Sequence, residues 1–165
     1  METDRTGGWD VPAAAHDLMA ARAEADYPEE TCGLVFETPA GLEVVPMRNI
    51  QNDLHRRDPA AHPRNARTAY AFEPEEMARV MTGREARSQP LRAIYHSHPD
   101  HDAYFSETDR REAAPPEWGE PTYPGAVYLV FSVREGRVRR VAGFEWSDEK
   151  RDFVEIPVRR GPATR

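Results

Sequence analysis

The sequence holds one cysteine, Cys32, one lysine, Lys150, and no apolar run approaching the ~18–20 residues of a helical membrane span. A single cysteine excludes an internal disulfide and any zinc site built from several thiolates. The opening residues, METDRTGGWD, have neither a basic n-region nor an apolar stretch, which predicts no secretory signal. A reduced, cytoplasmic location is the resulting expectation. The missing lysines are replaced by 21 arginines, which reads as codon bias. With 29 acidic against 22 basic side chains and a net charge of -7, neither nucleic acid nor a membrane is an expected partner.

Large apolar residues are also scarce. Leu, Ile, Val and Phe make up 27 of 165 residues, or 16%, under the ~20% that marks disorder when net charge is high. Their placement argues for a fold. Twenty of the 27 fall in seven short runs that read as strands: 32–36, 42–47, 68–72, 92–98, 126–133, 138–146 and 153–158. Residues 126–133 are apolar on both faces and predict a central strand.

Three segments predict helices. Asp10 would cap the first, through about Asp26, with an apolar stripe of Val11, Ala14, Leu18, Ala21 and Ala25, and Pro28 would stop it. The second starts near Pro74 and buries Met77, Val80 and Met81. The third follows Ser106 and ends before Pro115-Pro116. Residues 49–67 and 115–124 predict long loops, the first of them mobile. One domain over 10–158 follows, with flexible ends at 1–9 and 159–165.

The chemistry concentrates in residues 93–109. His96 and His98 stand two apart on a predicted strand, so both rings leave one face and can converge on a metal ion. Asp109 offers a third, anionic ligand. Ser106-Glu-Thr-Asp109 also fits a helix capping box, which would fix Asp109 in orientation without excluding a further role. Two rival signatures fail. His96-Ser-His98-Pro-Asp100-His101 matches the His-x-His-x-Asp-His pattern of metallo-β-lactamase-type hydrolases, yet none of the six histidines follows His101. A zinc deaminase needs a Pro-Cys-x-x-Cys element that one cysteine cannot supply.

The segment resembles the signature of the JAMM (MPN+, JAB-domain) metalloprotease family: His-x-His-Pro, six residues, Ser-x-x-Asp. His96, His98, Pro99, Ser106 and Asp109 fill it. Upstream, Tyr27-Pro-Glu-Glu-Thr-Cys-Gly-Leu34 resembles the short bacterial members' Pro-x-Glu-x-Cys-Gly pattern, which selects Glu30 over Glu29. Asn49 and the apolar strand at 126–133 also fall where the family pattern leads one to expect them.

The resemblance, over roughly residues 10–146, implies an α/β fold with a curved mixed β-sheet flanked by helices, cytidine-deaminase-like. It implies one Zn²⁺ held by His96, His98 and Asp109 with water in the fourth position, Glu30 as general base, and Ser106 helping to stabilise an oxyanion. It further implies a deubiquitinase-like peptidase or isopeptidase acting after the C-terminal Gly-Gly of a ubiquitin-like or sulfur-carrier protein. Hydrolysis of a small amide or carrier-bound amino acid at the same site, or a non-catalytic MPN scaffold, are the alternatives. Cys32, one strand step from Glu30, could be a ligand or nucleophile, but reads first as a small buried residue under the site. His101 and Asp102 lie between ligands and serine, where they could face substrate or solvent. Whether the chain forms a homodimer stays open.

Overall fold

A computed structural model describes residues 8–163. Its main feature is a six-stranded mixed sheet in the order β3-β2-β4-β5-β6-β7. The strands are β2 (Cys32–Thr38), β3 (Gly41–Met47), β4 (Leu91–Pro99), β5 (Val127–Arg134), β6 (Arg137–Ser147) and β7 (Asp152–Ile156). β1 (Trp9–Val11) and β8 (Val158–Arg160) form a separate parallel pair. Four helices lie among the described residues: α1 (Ala13–Asp26), α2 (Gln51–Arg57), α3 (Pro74–Ala86) and α4 (Glu107–Ala113). The expected α/β class, a mixed sheet flanked by helices, is what forms. None of these helices is long and apolar enough to cross a membrane.

β5 is the central strand that its two-faced apolar run predicts, with Val127–Val133 all buried. The period-two alternation of the sheet divides the core in two. Val35, Ala93, Tyr95, Leu129 and Phe131 pack under α1 with Met19 and Ala23. Leu34, Ile94, Tyr128 and Val130 face the other way, joined by Phe105, Phe144 and Phe153. Gly33 is required where the first layer is tightest: a Cβ there would lie 2.3 Å from the Tyr95 hydroxyl.

Several expectations are corrected. The buried face of α1 is Ala13, Ala15, Met19 and Ala23, whereas Leu18 is 42% exposed. Asp10 lies in β1 and the helix begins after Pro12, so the stripe counted from Val11 was out of phase. Alanines all round the helix leave its apolar face under-determined by pattern alone. Residues 68–72 join no ladder; Tyr70 and Phe72 pack against the core from an extended segment bound to Asn49 and Ile50. The run 153–158 splits at Pro157, which gives β7 and β8 to different sheets. Residues 9, 159 and 160, assigned to the flexible ends, pair in the β1–β8 ladder; residues 1–7 and 164–165 lie outside the described residues. The 49–67 loop contains α2 and is tied down by side chains, as shown below.

Candidate metal centre

β4 carries His96 and His98 on one face, both buried. Ser97, between them, points to the other face and accepts a hydrogen bond from Thr31 N at 2.8 Å. Ser97 N also donates to Thr31 O at 3.2 Å. The His-Ser-His triplet therefore does two things: its imidazoles face the site, and its serine moors the strand end that brings Glu30 there.

Asp109 arrives from α4. The predicted capping box forms: Asp109 N donates to Ser106 Oγ and Ser106 N donates to Asp109 Oδ2, each at 3.0 Å. That same Oδ2 faces both imidazoles, 3.2 Å from His96 Nε2 and 3.3 Å from His98 Nε2. The two Nε2 atoms are 3.2 Å apart. Three donors thus form a near-equilateral triangle. Ligands about 2.0–2.1 Å from a tetrahedral ion stand about 3.3 Å apart, so the triangle has the edge length of such a coordination shell.

The protonation pattern agrees with that fit. His98 Nδ1 lies 2.9 Å from the Asp102 carbonyl. Donating there leaves its Nε2 lone pair turned into the triangle. Asp102 therefore acts through its backbone; its carboxylate pairs instead with Arg134 at 2.6 Å. His96 Nδ1 has no hydrogen-bond partner among the described residues, and its ring is stacked against Tyr70, centroids 4.6 Å apart. Burial alone would raise the Asp109 carboxyl, but His96 and His98 outweigh it and hold the group well below the usual carboxylate range.

Glu30 is buried, with a carboxylate oxygen within 4.8 Å of ligand nitrogens of both His96 and His98. Its backbone is clamped: N donates to Ala66 O at 2.7 Å, and its carbonyl accepts from Asn49 Nδ2 at 3.0 Å. Burial, then the charges of Asp109 and Glu112, push its carboxyl well above the ordinary range, with Arg64 pulling the other way. Cys32 pairs with His96 across the β2–β4 ladder, is buried, and has its thiol pushed up by burial and by Glu30. It is an inert floor rather than a nucleophile.

Sequence reasoning missed three residues here. Tyr70 was seen only as part of an apolar run. Glu112 lines the same cavity as Glu30, Ser106 and Asp109. Desolvation within the cavity and the Asp109 charge raise its carboxyl to about 7, although the residue as a whole is exposed. Its position three residues after Asp109, one helical turn on, was the available signal. Arg64 gave none, being one of many arginines in a polar loop. His101 lines the cavity too, while His55 is turned away to the His62 carbonyl.

Residues 12–144 match the family described as prokaryotic homologs of the JAB domain. A desampylase of Haloferax volcanii is 32% identical over 152 residues, covering 90% of this chain and 93% of that protein. A CysO-cysteine peptidase of Mycobacterium tuberculosis is 32% identical over 119 residues, covering 72% of this chain and 69% of that one. The solution structure of a Desulfitobacterium hafniense protein shares the fold at a TM-score of 0.63 and 18% identity, covering 92% of each chain.

Proposed function

The chain belongs to the family of prokaryotic homologs of the JAB domain, and we propose that it is a zinc-dependent peptidase or isopeptidase working in the cytoplasm. Its substrate would be the bond after the C-terminal Gly-Gly of a ubiquitin-like or sulfur-carrier protein. The observation that carries this reading is the 3.2–3.3 Å triangle of His96, His98 and Asp109 with the buried Glu30 carboxylate beside it. Relatives named as a desampylase and as CysO-cysteine peptidases support a hydrolytic use of it.

In this reading His96, His98 and Asp109 hold one Zn²⁺, and three N/O ligands are the complement of a catalytic rather than a structural zinc. Bound zinc supplies Lewis acidity, which lowers the pKa of water and polarises a carbonyl. The remaining work falls to side chains of the chain itself. Glu30, its carboxyl raised by burial, takes a proton from the attacking water and passes it to the departing amine. Ser106 Oγ accepts from Asp109 N, so its own hydroxyl hydrogen is left to donate to the developing oxyanion. A glycine tail suits the site because it lets the scissile backbone approach closely.

Metal analysis together with incubation against Gly-Gly-linked carrier conjugates tests the proposal. One zinc per chain and cleavage at the glycine, both expected, would support it. A zinc-loaded protein that cleaves none of these conjugates would refute it. Glu30→Gln should keep the metal and lose turnover, whereas a scaffold would be indifferent to that change.

A further inference from the structure

Three consecutive residues at the end of β5 hold the turn that follows β4. Asp100 N donates to Val133 O at 2.6 Å, and Ser132 Oγ donates to His101 O at 2.6 Å. Arg134 donates to Asp100 O at 3.2 Å and to the Asp102 carboxylate at 2.6 Å. From the end of α1, the Tyr27 hydroxyl reaches the Asp100 carboxylate at 2.8 and 2.9 Å. The turn needs such holding, because Asp100 stands at φ +61°, in the left-handed region.

These contacts differ in weight. The Val133 bond is made by backbone, so any side chain at that position would allow it. The Arg134–Asp102 pair joins side chains that are 46% and 81% exposed, and an ion pair so placed is worth little. Ser132 is the buried side chain of the set, 3% exposed, a short hydroxyl within the buried run Val127–Val133. A hydroxyl there costs free energy unless it is bonded, and the His101 carbonyl is its acceptor. Ser132 also stands beside His98 in the parallel β4–β5 register, so the two side chains leave the same face of the sheet.

The chain of contacts ends at the donor triangle. One residue beyond the carbonyl that Ser132 holds, the Asp102 carbonyl lies 2.9 Å from His98 Nδ1 and accepts from Tyr104 N at 3.0 Å. The hydrogen bond made by one imidazole nitrogen decides which of the two keeps the proton. We infer that Ser132 is a positioning residue for His98. By fixing the His101–Asp102 backbone it keeps the His98 proton on Nδ1 and the Nε2 lone pair turned toward His96 and Asp109. Its consequence for metal affinity rests on the zinc reading above. His96 Nδ1 has no hydrogen-bond partner among the described residues, so the His96 ring does not depend on this turn and serves as an internal reference.

Nitrogen-15 spectra of the imidazoles, recorded on the full chain without metal at alkaline pH, report the tautomer of each ring. Wild-type His98 should carry its proton on Nδ1. Ser132→Ala should turn His98 into a mixture of tautomers and leave His96 as it was. In chelator competition the same variant should bind zinc about 10- to 100-fold more weakly, the range for losing an outer partner of a ligand histidine. Ser132→Thr, which keeps the hydroxyl, should restore both readouts, and Arg134→Gln should stay within about threefold of wild type. Wild-type His98 protonated on Nε2, or a His98 tautomer unmoved in Ser132→Ala, would overturn the assignment. So would His96 and His98 shifting together, which is general loosening, or a shifted tautomer with unchanged zinc affinity. If the alanine variant does not fold, Ser132→Cys, which keeps the volume and offers only a weak donor, takes its place with the same expected directions. A wild-type chain that binds no zinc while the tautomers behave as expected would sink the zinc reading and leave the Ser132 contact standing.

Discussion

The Tyr70 ring lies stacked on the imidazole of His96, with centroids 4.6 Å apart and planes 24° from parallel. The two histidines are therefore fixed by different forces. His98 is held by its Nδ1 contact to the Asp102 carbonyl, whereas His96 Nδ1 has no hydrogen bond among the described residues and its ring depends on packing. An aromatic pair is worth about 0.5–1.5 kcal/mol. Tyr70→Ala should accordingly weaken metal affinity by about 3- to 10-fold, while Tyr70→Phe, which keeps the stack, should not. Competition with a chromophoric chelator measures both, and an unchanged affinity in Tyr70→Ala would refute the role.

Ser97 is the moor of the Glu30 strand. Ser97→Ala leaves Thr31 N, a buried donor, without its 2.8 Å acceptor. An orphaned buried donor costs about 1–3 kcal/mol. The variant should show that loss in urea melts, with kcat lowered more than metal affinity, because Glu30 and not the imidazoles would drift. A melt identical to wild type would show that the contact is dispensable.

Glu112 gives a pH signature in the metal-free protein. Its folded carboxyl titrates at about 7, above the ~4.3 of an unfolded glutamate. Such an acid favours the fold while protonated: its contribution is complete below about pH 4 and is lost as pH rises through 7. Glu112→Gln should thus raise Tm at pH 8 and change it little at pH 4. Glu112 also raises Glu30, so the acid limb of kcat/KM in the zinc-loaded variant should move to lower pH. A limb that stays in place would separate the two carboxyls.

Chelation should lower Tm. Two imidazole nitrogens and a carboxylate oxygen converge at 3.2–3.3 Å in a buried site, a crowd that a cation relieves. An ion at a thousandfold excess over its Kd adds about 4 kcal/mol, which for a chain of this size means roughly 10 °C. Calorimetry with and without a chelator checks this, and an unmoved transition would show that the core is sufficient alone.

What could be read from the sequence was what local rules control. Strand alternation put His96 and His98 on one face, and the Ser106–Asp109 capping box is a four-residue motif that forms as written. The central strand at 127–134 was legible because both its faces are apolar. What escaped depended on contacts distant in the chain. α2 has no apolar stripe and is anchored through the polar side chains of Asn49, Gln51 and Asn52. Tyr70 and Phe72 alternate as a strand should, yet their segment bonds to the Asn49 side chain in place of a neighbouring strand. Arg64 owes its place in the cavity to bonds made thirteen residues and more away in sequence.

β4 and β5 are adjacent and parallel, so the chain leaving Pro99 must travel back along the whole sheet before Val127 can begin. Parallel neighbours always impose such a return leg. Here its first part, through Glu112, lines the cavity with Asp109 and Ser106, while the part from Ala114 to Gly125 covers the distance and packs Ala114 and Tyr123 against the core. The fold thus places a stretch that lends no residue to the cavity wall directly downstream of the residues that form the donor triangle.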